Sequence, residues 1–245
     1  LSLISEPIAS FSPLYEQIKA MILASLQASE WMPGDVIPSE MELAARYAVS
    51  QGTVRKAIDE LAAQNLLVRR QGKGTFVATH QEEDFQYRFL RLEPDSGEKL
   101  HLKNQFLACE ISQSDAYIAK LLKLKASDPV IRIDRVQSSA GRPIVFEEIW
   151  LPEGRFKGLT LEALNSWPGP MYAFYESEYA THMVRAEEKI KAVLANSELA
   201  KHLEVPEGSA LLSVERAAFT YGNKPVEIRR ARYDTSDQHY DNKLN

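Results

Sequence analysis

Residues 38–77 read PSEMELAARYAVSQGTVRKAIDELAAQNLLVRRQGKGTFV, and this stretch decides the fold of the amino-terminal third. Ser39 and Glu42 stand at capping-box spacing, so each can bond the other's backbone amide and start a helix. Leu43, Ala44 and Tyr47 supply its buried side. Val49-Ser50 reads as a tight turn in which Ser50 caps a second helix running to about residue 65. There Val54, Ile58, Leu61 and Ala62 recur at i, i+4, i+7 and i+8 and share one inward face. Gln51, Gly52, Thr53, Arg55 and Lys56 crowd the first turns of the outward face, where the partial positive charge of a helix amino end suits phosphate oxygens. Two helices joined in this way lay the amino end of the second into a DNA major groove.

Upstream, Ser12-Pro13 opens a further helix with Pro13 at its first position, and Leu14, Ile18, Met21, Ile22 and Leu26 form its apolar stripe. Downstream, Leu66-Leu67-Val68-Arg69-Arg70 and Thr75-Phe76-Val77 flank Gln71-Gly72-Lys73-Gly74, a hairpin whose glycines permit positive φ and a close approach to a groove. It reads as a wing. The chain as a whole carries a net charge of -5, but Arg46, Arg55, Lys56, Arg69, Arg70 and Lys73 face only Asp59 and Glu60 between residues 46 and 73. A local basic patch is all that phosphate binding requires, and an acidic remainder suppresses promiscuous binding.

The run Pro38-Ser39-Glu40, Leu43-Ala44, Val49-Ser50, Thr53-Val54-Arg55, Leu61 and Arg69 through Val77 resembles the GntR family of bacterial transcription regulators. The resemblance implies that Arg55 contacts DNA, that Ser50 and Thr53 bind phosphate or base edges, and that Gly72 with Lys73 enters the minor groove. Ser39, Gln51, Lys56 and Arg70 complete the candidate DNA-binding set. Two arginines found in the family are Gln51 and Met41 here, which removes bidentate guanine contacts worth about 1–3 kcal/mol of discrimination each.

The 245 residues suit two domains, expected at 1–79 and 88–245 with a polar, acidic linker at 80–87. No apolar run approaches the ~20 residues of a bilayer-crossing helix and the amino terminus lacks a cationic signal start, so a soluble, cytoplasmic protein is expected. Cys109 is alone, which excludes an intramolecular disulfide, and its alternating polar neighbours suit a core position. The five histidines show no metal-ligand spacing, so neither metal nor cofactor is expected.

The second half repeats itself. Ala119-Lys120, Leu122, Val130-Ile131, Ile133, Asp134-Arg135 and Gly141 recur 81 positions later, from Ala200-Lys201 to Gly222, and beyond that glycine the offset becomes 82. Each half reads helix, strand, glycine turn, strand: 114–122, 129–139 and 143–151, then 196–203, 209–221 and 224–234. Strands near 99–112 and 182–193 precede the helices. The expectation is an α+β domain, an antiparallel sheet with helices on one side and a ligand pocket at the crease between the halves. In the plainest reading Asp134-Arg135 and Glu215-Arg216 form cross-strand salt bridges, with Arg135 the better ligand candidate. Tyr172, Phe174, Tyr175 and Tyr179 read mainly as core.

Residues from about 85 to 240 resemble, more loosely, the UTRA effector-binding domain of the HutC branch of the GntR family, whose fold is that of chorismate lyase. Arg135, Gly141-Arg142-Pro143-Ile144, Glu147, Pro170-Met171-Tyr172, Arg216, Pro225-Val226-Glu227 and Tyr233 carry the likeness. It implies effector contacts at Arg135, Glu147, Tyr172, Glu227 and Tyr233. The second arginine of phosphosugar-sensing relatives is Gln137 here, and their phosphate-binding serine is Pro170. Losing a guanidinium fork and a hydroxyl points away from a phosphosugar and toward a singly charged or zwitterionic metabolite. The resemblance further implies a homodimer on an inverted-repeat operator in double-stranded DNA. A chorismate lyase-like enzyme and a winged-helix adaptor that binds only protein are the alternatives. No nucleophile–base pair or phosphate loop stands out, so no enzyme is expected.

Overall fold

The computed structural model describes residues 12–80, 91–98 and 100–242, and the chain divides after Ala78 into two compact units.

In the first unit α1 (Leu14–Gln27), α2 (Glu40–Tyr47) and α3 (Gln51–Ala63) precede the hairpin β1 (Leu67–Arg70) and β2 (Gly74–Val77). Both halves of the capping box form: Glu42 N donates to Ser39 Oγ at 3.3 Å and Ser39 N to Glu42 Oε2 at 2.8 Å. Ala48 in the left-handed region closes α2, and Ser50 caps α3. Ile18, Ile22 and Leu26 pack with Leu43, Val54, Ala57, Ile58 and Leu61 in the buried interior. The α1 stripe is narrower than expected, since Leu14 and Met21 are each 50% exposed. Pro13 stands at the N-cap rather than inside the helix. Asn65, at φ 54°, already lies outside α3. In the hairpin Gly72 and Gly74 take φ 71° and 109°, and a Cβ on Gly74 would lie 3.2 Å from Val36 Cγ2.

Of the expected linker, His80 is buried within the second unit, and 81–87 lie outside the described residues. The second unit is built on six antiparallel strands in the order β4-β5-β6-β9-β8-β7. They are β4 (Lys103–Gln113), β5 (Pro129–Ser139), β6 (Arg142–Pro152), β7 (Arg185–Leu194), β8 (Ala210–Thr220) and β9 (Lys224–Asp234). A separate pair joins β3 (Leu92–Pro94) to β10 (Gln238–Tyr240). Helices α4 (Ala116–Leu122) and α7 (Ser197–Leu203) follow β4 and β7, as the repeat requires, while α5 (Leu161–Ser166) and α6 (Met171–Tyr179) lie between the halves in sequence. The repeats meet at the β6–β9 pair. The changed offset is one extra residue in the second hairpin turn, Tyr221–Asn223 against Ala140-Gly141.

Helices cover both faces of the sheet, not one as expected. Ile118 and Leu122 of α4 pack with Val130 and Ile228, and Leu203 of α7 with Val136 and Phe146. The alternate residues Ile131, Ile133, Ile149 and Leu151 pack with Tyr172, Phe174 and Tyr175 of α6. Successive side chains of a strand point to opposite faces, so strands apolar at both parities need a layer on each side. Among the described residues no helix is long and apolar enough to cross a membrane.

Candidate functional site

On the winged unit, Glu40 of α2 gathers three polar residues from α3 and β1. It accepts from Gln51 Nε2 at 3.2 Å, Arg55 Nε at 2.9 Å and Arg69 Nη2 at 3.0 Å. Arg55 nevertheless keeps 56% of its side chain exposed, at the first turns of α3. Ser39, Gln51 and Lys73 line one groove between α2, α3 and the wing. Ser50 Oγ takes the Thr53 amide at 3.2 Å and lies 2.9 Å from Thr53 Oγ1, so the two hydroxyls bond each other. The Lys56 ammonium sits 3.7 Å above the Tyr15 ring of α1, and the Arg70 guanidinium 4.5 Å above Phe76 on the wing. Gly72 and Lys73 form the exposed wing tip. Glu40 and Arg69 are absent from the expected set; Glu40 holds Arg55, and Arg69 shares that carboxylate. The signal for them was Glu40 itself, an acid in the first turn of a helix beside a basic patch.

On the second unit, the sheet face under α6 holds a cavity of about 210 Å³. Arg135, Gln137, Glu147, Tyr172 and Tyr233 line it, joined by Asn104, Arg216 and Arg229, with residues 168–170 and Met171 at the rim. Arg135 and Glu147 are register partners on β5 and β6. Arg216 and Arg229 are register partners on β8 and β9. Arg135 Nε donates to Glu147 Oε2 at 2.8 Å, with Nη2 on the same oxygen. Arg229 Nη1 reaches Glu147 at 3.3 Å, while its Nε and Nη2 fork onto Glu227 at 3.0 and 2.9 Å. Arg216 Nε bonds Glu188 at 2.7 Å. Gln137 Nε2 donates to Asn104 Oδ1 at 2.9 Å.

Glu227 does not reach the cavity. It is fully buried, and its oxygens accept from Tyr172 at 2.9 Å, Tyr175 at 3.1 Å and Arg229. The one-arginine site expected from the sequence is therefore corrected to three arginines held by Glu147, Glu188 and Glu227. The expected cross-strand bridges of Glu215 and Arg216 form on opposite faces, Glu215 with Arg230 at 3.1 Å and Arg216 with Glu188, because adjacent residues of a strand point apart. The signal for Arg216 and Arg229 was in the repeat, which places Arg216 where the first half has Arg135 and Arg229 where it has Glu147.

Burial alone would raise the Glu147 carboxyl, but Arg135 and Arg229 hold it at about 2. Burial and the Glu227 charge push Tyr172 up to about 12, and burial with Glu147 does the same to Tyr233. At neutral pH the lining thus offers cationic guanidinium donors, neutral phenols and one carboxylate. Pro170 provides no side-chain cap to α6, whose amino end abuts the cavity. The described lining contains no serine, threonine, cysteine or histidine. Cys109 lies outside this lining, half-buried against the core; burial pushes its thiol up.

Histidine spacing suggested no metal ligands, yet the fold brings donor atoms of His80, Glu176 and His182 within 4.8 Å of one another. They bond one another, the backbone and the Thr79 hydroxyl. Glu176 accepts from Thr79 Oγ1 at 2.8 Å, from the His80 amide at 3.0 Å and from His182 Nδ1, and His80 Nε2 lies 2.9 Å from Met183 O.

Residues 14–77 match the gntR family of bacterial regulatory proteins, and residues 97–239 match the UTRA domain. The mannosyl-D-glycerate transport/metabolism system repressor of Escherichia coli is 27% identical over 229 residues, covering 92% of this chain and 93% of that protein. A protein of Escherichia coli described as a probable fructoselysine utilization operon transcriptional repressor is 25% identical over 215 residues, 88% of each chain. The ligand-binding domain of a regulator from Bordetella bronchiseptica, assigned to the same family, superposes with a TM-score of 0.64 at 43% identity, covering 65% of this chain and 99% of that one.

Proposed function

Because the chain belongs to the GntR family of bacterial regulatory proteins and carries its UTRA domain, we propose that it is a cytoplasmic transcriptional repressor. Its operator affinity is controlled by a small metabolite in the 210 Å³ cavity. One reader helix supplies too little energy to select a site among ~10⁶ competitors. The working form is therefore a homodimer on an inverted repeat. Arg55 and Lys73 carry the phosphate and groove contacts, and Gln51 takes the place of a base-reading arginine.

The matching of arginines to carboxylates carries the reading of the effector. Arg135, Arg216 and Arg229 are balanced by Glu147, Glu188 and Glu227, so no pair of uncompensated cations awaits a phosphate dianion. Guanidinium donors beside the uncapped amino end of α6 suit one carboxylate. Glu147, Asn104 and the phenols suit hydroxyl or amino groups. The named systems of the two relatives concern mannosyl-D-glycerate and fructoselysine, both carboxylates bearing several hydroxyls. Ligand binding weakens operator affinity by favouring a second domain arrangement, a coupling commonly worth about 1–3 kcal/mol.

The test is gel retardation of the DNA upstream of the protein's own gene, with a thermal-shift panel of hydroxylated carboxylates, amino acids and sugar phosphates. Specific retardation is expected, weakened in Arg55→Ala and Lys73→Ala with a shallower salt dependence of about one counterion per lost phosphate contact. Undiminished affinity in both variants refutes the DNA face, and stabilisation by sugar phosphates alone refutes the effector class.

A further inference from the structure

We propose that His80 relays the state of the cavity to the winged unit, with Glu176 as the positioning residue that holds it; this rests on the regulator reading above. Tyr172 lines the cavity, and its ring centroid stands 5.4 Å from that of His80. The same histidine packs 5.0 Å from the His182 ring and meets Met183 O through Nε2. Its backbone amide, with the Thr79 hydroxyl, is fastened to Glu176 on α6, the helix whose first residues form the cavity rim. His80 is 1% exposed, Glu176 and His182 each 4%.

Thr79 and His80 are the first residues after the winged unit, and only Ala78 separates Thr79 from the end of β2. The Ala78 amide in turn donates to Leu66 O at 3.1 Å, just before β1. A ligand that shifts Tyr172 or the amino end of α6 must move His80 or break its bonds, because close-packed interiors shift between discrete arrangements rather than deforming smoothly. Moving residues 79–80 pulls on the strand that positions the wing. An anchor serving stability alone has no need to bury a carboxylate whose every acceptor site must be filled. The donor set is also one that zinc uses. Here the donors already bond one another and the backbone, which favours a hydrogen-bonded clasp.

Linkage is reciprocal, so DNA binding must act on α6 through the same route, and no effector is needed to test it. Full-length protein, with and without its upstream DNA fragment, is followed by hydrogen–deuterium exchange of peptides covering 171–179. In the native chain DNA is expected to change that exchange by about fivefold or more, the lower end of the ~5–150-fold range of such couplings. His80→Ala and Glu176→Gln are expected still to bind the fragment while the change falls below about 1.5-fold, with exchange elsewhere in the sheet unaltered. Thr79→Val, which deletes one hydrogen bond, should give a partial loss. A full response in His80→Ala overturns the relay, as does a full response in Thr79→Val if His80→Ala fails to fold. A native chain that binds DNA with no response in α6 overturns it too. Coupling abolished by a chelator overturns the hydrogen-bonded clasp. Failure of the native chain to retard the DNA removes the regulator reading itself, and the relay with it.

Discussion

Replacing Glu147 with glutamine removes the charge that Arg135 and Arg229 share while keeping the side chain's size. Glu147 is 2% exposed, and its carboxyl is lowered from 4.5 to about 2 against the penalty of burial. The buried arginines thus favour the ionised form in the folded protein by an amount on the order of 3 kcal/mol. The folded value lies below the unfolded one, so the stabilisation is complete above pH 4.5 and drains away as pH falls toward 2. Glutamine leaves Arg135 without a carboxylate, and breaking a buried pair from one side costs about 3–5 kcal/mol. The assay is urea unfolding at pH 7, 5 and 3.5, followed by Trp150 and Trp167 fluorescence in a Trp31→Phe background, because Trp31 lies in the winged unit. Glu147→Gln should lose about 3 kcal/mol at pH 7 and show a flatter acid limb than the parent. Adding Arg135→Met should recover part of the loss, since the orphaned guanidinium is gone. A variant within about 0.5 kcal/mol of the parent, with the same acid limb, would mean that the carboxylate is not held as described.

Ser39→Ala removes the hydroxyl that accepts the Glu42 amide while leaving the backbone bond from residue 39 to the Glu42 carboxylate; the loss is expected to cost about 0.5–2 kcal/mol, read as a lower melting temperature of the winged unit. Gly74→Ala should disturb the wing more than Gly72→Ala, because it meets Val36 at 3.2 Å in addition to a φ of 109°. Gel retardation and circular dichroism of the two variants would rank them, and equal effects would refute the close approach. Burial pushes the Cys109 thiol up, which lowers its thiolate fraction at neutral pH. Alkylation by iodoacetamide should therefore be at least about tenfold slower in the folded protein than in urea.

The winged unit was legible because its signals are short-range. Ser39 and Glu42 bond across three residues, Ser50 and Thr53 likewise, and Gly72 and Gly74 declare a turn by lacking a Cβ. The sheet was legible through its repeat, down to the extra residue beside Gly222. Helices on the second face were missed because α6 has aromatic residues on nearly every side and no clear period, and its partners Ile131 and Ile149 are strands away.

Sequence by itself determined the two units, the helix-turn-helix with its wing, and the duplicated sheet, since each follows from local spacing, capping and alternation. Only tertiary structure decided which charges meet. Arg229 finds Glu147 across 82 residues, Arg216 finds Glu188 across 28, and Glu176 holds the His80 amide across 96. An ion pair or a clasp depends on distances of a few ångströms between side chains, and in a sheet those distances are set by strand order and register, which local sequence does not encode.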